Sequence, residues 1–436
     1  MKARHFFIVV IFFLVFAQNY SQQKLTLDEA IKIALENNYD IRLAKNDAAI
    51  SENNYSIGNA GFLPKLDITA SQTKSSTNTK QEYSDGRSVD KTDATSTSTN
   101  ANAALSWVLF DGFKMFTTYS KLREYKELGN LKLRSQIEKS ISEVIQTYYN
   151  IVQQKYNYRV AQEGIEISRE RVRLVEEKLS VGSASNLDLL RAKVDLNADR
   201  SNLLNQEVTL NTLKVSFNVL LARSVSFEFD VEENIDIQEG LTFNALKESA
   251  FKNNIDLLQS EKNINISSFD AGILKSDYFP KLTLNSGYNF QKSEAEANLV
   301  RSNQSNGYNY GLSLSWNIFN GFNTQLAYQN ALISLDKYEL LLQATKNYIK
   351  SSLLIAFRNY EKNIEILKLE NENISTSKEN LDLAFEQFKL GSLSPLEFRE
   401  VQKSYIAAQS RLSTARYSAK MSERDLLKQS GMLLRN

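Results

Sequence analysis

The side chains that most often carry out covalent or acid–base chemistry are nearly missing from this chain. It has no cysteine and a single histidine, His5, in 436 residues. Without thiols there is no disulfide framework, iron–sulfur cluster, thiolate zinc site or cysteine nucleophile. His5 lies in a segment read below as a removed signal. The mature chain therefore also lacks the imidazole needed for Ser-His-Asp triads, histidine general bases and histidine-ligated metals. The acids of DVEENIDIQEG and the polar run SSTNTK lack the spacing of a calcium loop. Charged pairs such as Glu176 with Lys178 read as a solvated helix face, and four methionines are too few to line a path for a soft metal. No catalytic residue, resident metal or cofactor is expected. The 52 Lys and Arg balance 51 Asp and Glu with signs interspersed, so the basic stripe of a nucleic-acid binder is missing.

The start of the chain sets the compartment. Lys2 and Arg4 precede an apolar run from Phe6 to Phe16, the charge and length pattern of a secretory signal. Residues 1–21 are assigned to it, with cleavage after Ala17 or after Ser21 leaving a small residue at the cut. Polar QNYSQQK follows immediately, and no later run reaches 18 apolar residues. If the exported chain enters a membrane, it must do so as strands.

Internal repetition organises the rest. TLDEAIKIALENNYDIRLAKNDAAIS, from Thr26, resembles TFNALKESAFKNNIDLLQSEKNINIS, which begins 216 positions later at Thr242. FLPKLDI with Pro64 matches YFPKLTL with Pro280 at the same offset. LSWVLFDGF around Trp107 returns as LSWNIFNGF around Trp316, now 209 positions on, and EEKLSVGSASNLDLLRAKVDL around Gly182 returns as FEQFKLGSLSPLEFREVQKSY around Gly391. Four landmarks in one order define a duplicated unit, residues 22–223 and 241–436, joined by a linker at 224–240.

Each unit reads as helix, two strands, long helix, turn and return helix. The first helix, about Thr26 to Gly61, carries Leu27, Ile31, Ala34, Leu35, Ile41 and Leu43 at helical spacing. The strand pairs fall at 62–110 and 279–319 and alternate with period two. In Tyr308 to Ile318 one face is Tyr308, Tyr310, Leu312, Leu314, Trp316 and Ile318, and the other is Asn309, Gly311, Ser313, Ser315 and Asn317. About ten residues of such alternation suit a transmembrane strand that lines water on one side. Polar stretches at Gln72 to Asn102 and Gln291 to Gly307 read as exposed loops.

With 15 Gly and 3 Pro, where average usage gives roughly 30 and 22, the chain has few helix breakers. Long helices are expected at 112–180 and 321–390, each a rod of about 100 Å with the three-and-four spacing of a coiled-coil seam. Return helices follow at 187–221 and 396–431. Four strands cannot close a barrel, and an open edge cannot sit in lipid. Two chains would make a barrel too narrow for passage, and three give twelve strands around a lumen.

These residues carry a resemblance. FLPKL or YFPKL opening each strand pair, LSWxxFxGF closing it, and a VG or LG turn followed by DLLxA resemble the outer membrane efflux protein family, the TolC-like exit ducts, over essentially the whole mature chain. The resemblance implies a mostly α fold with a β-barrel portion: a homotrimer with a 12-stranded outer-membrane barrel continuous with a long periplasmic helical barrel, in a Gram-negative bacterium. It implies a passive duct in a tripartite efflux or type I secretion system, with no enzyme activity. The implied partners are a periplasmic adaptor (membrane fusion) protein, an inner-membrane transporter of RND or ABC type, and outer membrane lipid.

By the same resemblance the helix-turn tips dock the adaptor, here Val181, Gly182, Leu390 and Gly391. The acids that ring the aperture correspond to Asp188, Glu397 and Glu400, the last two sharing a helical face. The family's arginine two residues after the second tip glycine is replaced by Leu393, leaving Arg191 or Arg399 to supply any latch. Trp107, Trp316, Tyr308 and Tyr310 are the expected barrel-interface aromatics, and Pro64 and Pro280 open the strands. The competing reading is a periplasmic or surface coiled-coil scaffold that never inserts, its strands forming a small soluble sheet.

Overall fold

Asn38 and Asn254 break what the sequence presented as single helices. In the computed structural model, which describes residues 24–298 and 300–434, the opening helix of each repeat is two: α1 (Leu27–Asn37) and α2 (Tyr39–Asn54), then α5 (Phe243–Asn253) and α6 (Ile255–Ser276). The expectation of one helix from Thr26 to Gly61 is corrected accordingly. Asn38 Oδ1 accepts from the Ile41 amide at 3.1 Å while its Nδ2 donates to the Leu220 carbonyl at 2.8 Å. Asn254 Oδ1 accepts from the Asp256 amide at 3.0 Å, and its Nδ2 donates to the Gln429 carbonyl at 3.3 Å. A buried amide that caps a new helix while closing the end of a return helix outweighs the continuous apolar spacing. The signal-sequence expectation lies outside the described residues.

The remaining elements are β1 (Lys24–Leu25), β2 (Lys65–Glu82), β3 (Ser88–Phe110), α3 (Lys114–Ser180), α4 (Asn186–Leu220), β4 (Asp230–Val231), β5 (Lys281–Ala295), β6 (Ser302–Ser315), α7 (Asn323–Leu390) and α8 (Pro395–Gln429). Two units divide the chain, each drawing on both repeats: one takes residues 133–257 and 345 onward with the chain up to Asn46, the other residues 47–132 and 258–344.

In the first, helical unit, α1, α3, α4 and α8 enclose an apolar core of Ala30, Ala34, Val144, Tyr148, Ile151 and Phe217. The linker contributes Phe229 and Val231 to it, and β4 pairs in parallel with β1. A second core, with Val175, Ala192, Leu381, Phe388 and Phe398 fully or nearly buried, lies under the two helix turns.

In the second unit, β2, β3, β5 and β6 form one antiparallel sheet in that order, so β2 and β6 are its two edges. The segments expected as loops at 72–102 and 291–307 are corrected here, the second being strand in β5 up to Ala295 and in β6 from Ser302. β2 runs on through Glu82 and β3 begins at Ser88, so most of the 72–102 stretch is paired strand, with a tight connection at 83–87. Ser and Thr side chains on both faces hid the strand from a period-two reading, because alternation marks a strand only where one face is apolar.

The register sorts the sheet into two faces. Leu282, Leu284, Tyr288 and Phe290 on β5 lie level with Leu314, Leu312, Tyr308 and Asn306 on β6 and with Trp107, Ala103 and Ala101 on β3, and on β2 the same face carries Leu66, Ile68 and Ala70. From Leu282 to Phe290 this band spans about 26 Å along the strand at ~3.3 Å per residue, close to the apolar belt of outer-membrane barrels. It stops at Lys292, Gln304, Thr99 and Gln72.

Candidate functional site

The two helix turns of the helical unit are built alike. Gly182 and Gly391 have φ of +78° and +81°, a region where a side chain is strained. Around the first, the Gly182 amide donates to the Leu179 carbonyl at 3.0 Å and the Ser183 amide to the Lys178 carbonyl at 2.8 Å; around the second, Gly391 donates to Phe388 and Ser392 to Gln387 at 3.2 and 3.0 Å. These are Schellman closures, in which a left-handed residue returns the chain onto the last turn. Val181 and Leu390 stand beside them, 77% and 84% exposed.

The next helices begin with matching capping boxes. Ser185 Oγ accepts from the Asp188 amide while Asp188 Oδ2 accepts from the Ser185 amide at 3.1 Å. Ser394 and Glu397 repeat the arrangement at 3.3 and 2.9 Å, with Pro395 in the first turn. Both carboxyls are held below their usual range, first by the serine hydroxyl and then by its amide. Glu397 uses Oε2 for both Ser394 contacts. Glu400 is exposed and paired with Lys403 at 3.1 Å.

Beneath the turns a polar network crosses the core. Arg399 on α8 donates to both oxygens of Asp199 on α4 at 2.8 Å, and Arg171 on α3 donates to Asp195 at 2.5 Å. Gln402 donates to Ser168 Oγ at 2.8 Å and to the Gly164 carbonyl at 3.1 Å. Arg399, a candidate latch, is thus committed within one chain, and Leu393 packs on the apolar core. A cleft of about 430 Å³ opens between the first turns of α4 and α8, walled by Leu187, Leu190, Val194 and Leu396 with Arg171 and Arg399 among its lining. Arg191 lines the same cleft.

Lys178 is not part of a solvated face. Glu176 pairs with Lys193 at 2.9 Å, not with Lys178, whose ammonium donates to the Phe388 carbonyl at the end of α7 and sits 4.3 Å from the Phe388 ring centroid. Lys178 and Phe388 are 210 positions apart, so only the fold reveals the contact.

In the sheet unit, Pro64 and Pro280 immediately precede β2 and β5. Trp107 and Trp316 make equivalent bonds: each indole Nε1 donates to a carbonyl just ahead of a strand pair, Phe62 at 2.9 Å and Tyr278 at 3.1 Å. Tyr308 and Tyr310 are exposed on the apolar face of the edge strand β6. Among the described residues no group of His, Cys, Asp or Glu is arranged to hold a metal ion, and no helix is long and apolar enough to cross a membrane.

The duplicated architecture, the paired turns and the banded sheet can be set beside known proteins. A family model described as outer membrane efflux protein matches residues 30–217 and 246–432. The chain belongs to that family. The two matched segments fall one in each repeat, and the family places the protein in the outer membrane as the exit duct of an efflux system, which sets aside the scaffold reading. CusC, a cation efflux system protein of Escherichia coli strain K12, is 21% identical over 434 residues, covering 93% of this chain and 87% of its own. TtgC, a probable efflux pump outer membrane protein of Pseudomonas putida, is 20% identical over 415 residues, covering 93% and 82%. The solved CmeC outer membrane channel of Campylobacter jejuni superposes with a TM-score of 0.75 at 18% identity over 93% of this chain and 86% of that one. The efflux protein shares the fold of these TolC-like channels.

Proposed function

We propose that three copies of this efflux protein close a twelve-stranded barrel and act as a passive duct that performs no chemistry. The observation that carries this reading is the pair of open edges, β2 and β6, on a sheet with one apolar and one polar face. The strands are 14 to 23 residues long, beyond the roughly 9–11 needed to cross a bilayer, and an unpaired edge in lipid costs several kcal/mol per polar group. With four antiparallel strands, β6 of one copy meets β2 of the next also antiparallel, and three copies give an even, closed set. Apolar side chains that face solvent in one copy, Val194, Leu204 and Val208 on α4 and Tyr348, Ile355 and Leu369 on α7, support burial between copies.

The turns are proposed as the periplasmic mouth. Val181 and Leu390, with the cleft beside Leu187 and Leu396, offer apolar purchase for a periplasmic adaptor, and an inner-membrane transporter of RND or ABC type would feed the duct. Asp188, Glu397 and Glu400 would ring the aperture in triplicate, favouring cations. The named cargoes of relatives differ, and none is carried over to this chain.

The test is oligomeric state followed by conductance. A heat-modifiable trimer in outer membrane fractions, giving discrete cation-preferring steps in planar bilayers, is the expected result. A soluble monomer would overturn the reading.

A further inference from the structure

We infer that the membrane-spanning bore of this duct carries no net charge and offers cargo a lane of amide and hydroxyl groups, so that the barrel admits uncharged solutes rich in hydroxyls and amides without filtering ions of either sign. The inference rests on the three-copy barrel proposed above, because it needs the polar face to point inward.

The register defines that face. Level with the apolar band, the side chains on the opposite side of the sheet include Asn102 on β3, Asn285 and Asn289 on β5, and Asn309 on β6. Asn289 Nδ2 donates to Asn309 Oδ1 at 3.0 Å, and Ser106 Oγ donates to Asn285 Oδ1 at 3.2 Å. The charged residues on this face within the band are Lys65 and Asp67, which neutralise each other at 2.9 Å, and Lys281 lies on the same face one residue below the band. Above the band the face continues with Ser71, Thr73, Ser98 and Asn100, again without charge.

Glycine shapes the lane. Gly307 and Gly311 lie on the same face of β6, and a Cβ on either would meet nothing of its own chain within 4 Å. Glycine weakens a strand interior and is often found where a ligand or another backbone comes close, and here it leaves two gaps in the polar face. A row of side-chain amides beside these gaps gives passing hydroxyl and amide groups both donors and acceptors. A ring of three carboxylates or ammoniums inside a low-dielectric wall would raise a potential of several kT and filter ions. Within the band, among the described residues, the face holds no such ring, and Lys281 stands at its lower rim.

Because the chain has no cysteine, single thiols report the local potential directly. Asn309→Cys would be reacted in lipid with size-matched cationic and anionic methanethiosulfonates, using Ile68→Cys on the opposite face as the control. The expected rates for the two reagents at Asn309→Cys agree within about two-fold at low salt, and adding Asn289→Asp favours the cationic reagent by about ten-fold. Ile68→Cys should stay unreactive. A several-fold preference for one sign at Asn309→Cys alone, or no reaction with either, would overturn the inference. Equal reaction at Ile68→Cys and Asn309→Cys would instead sink the barrel itself, and the inference with it.

Discussion

Lys178, in the last turn of α3, caps the C-terminal end of α7 by donating to the Phe388 carbonyl, and its ammonium rests over the Phe388 ring. One side chain thus ties the two helix turns of a single copy together, and burial pushes its pKa down. A helix C-terminus favours a cation, and a hydrogen bond from a charged donor contributes about 1.5–3 kcal/mol. Lys178→Met keeps the stem packed and removes only the charge and the donor. Spin labels at Val181→Cys and Leu390→Cys should then show a broader distance distribution than in the parent. An unchanged distribution would mean that the turns are held by their apolar floor alone, chiefly the Phe388–Phe398 stack at 4.9 Å.

The Arg399–Asp199 pair gives a second, larger effect. Arg399 is 8% exposed and Asp199 18%, so removing the arginine strands a shielded carboxylate. Breaking a pair of this kind costs about 3–5 kcal/mol, whereas replacing both partners by apolar groups is far milder. Arg399→Met should lower the denaturation midpoint of the purified protein markedly, and Arg399→Met with Asp199→Leu should recover most of the loss. If the double variant is as unstable as the single one, the network's value lies in Ser168 and Gln402 and not in the ion pair.

The capping acids set a pH dependence with a definite sign. Asp188 and Glu397 have folded-state pKa values below their ordinary ones, so they bind protons less readily in the folded chain. Their contribution is fully present above the unfolded carboxylate range, about 4, and is lost as pH falls through the depressed folded values. The first turns of α4 and α8 should fray only in that acid window, seen as faster amide exchange at Leu189 and Phe398. Glu397→Gln, which still completes a capping box, should remove the pH dependence at α8 without fraying it at neutral pH. Fraying in Glu397→Gln at pH 7 would show that charge, not cap geometry, holds the turn.

The same geometry refines the aperture. Glu397 keeps its Oε1 outside the capping box and Glu400 is exposed beside Lys403, so under the proposed reading of the turns as the mouth both carboxylates would face permeating ions. Glu397→Gln with Glu400→Gln should raise single-channel conductance or lower cation preference. Unchanged conductance and selectivity would remove these acids from the mouth.

The duplication, the turn glycines, the long helices and the alternation of Leu312, Tyr310 and Tyr308 were legible because each rests on local spacing. What stayed hidden depends on distant partners. ENNYD and KNNID read as helix until Asn38 and Asn254 find the carbonyls of Leu220 and Gln429. Lys178 looks like a solvated charge until α7 is placed beside it. The Ser and Thr strands past Ala70 have no apolar face, so only the ladder identifies them. Asp188 and Glu397 carried two signals at once, acid at a tip and third residue of a capping box, and the sequence reading used only the first.

Gly182 and Gly391 allow the cost of the turn to be separated from its recognition. A Cβ at either position meets no atom within 4 Å, so substitution costs only the left-handed backbone, about 1–2 kcal/mol for alanine and less for asparagine, which tolerates that region. If the turn's shape alone matters, adaptor affinity measured with each variant should fall in the order Gly, Asn, Ala, in step with the loss of stability. If the adaptor instead packs against the bare backbone, Asn should cost as much affinity as Ala or more, because its side chain occupies space that is open in a single copy. Val181→Ser and Leu390→Ser, which leave the backbone unstrained, complete the comparison. Lower affinity at undiminished stability would assign docking to the exposed apolar pair, and full affinity would assign it to the turn backbone.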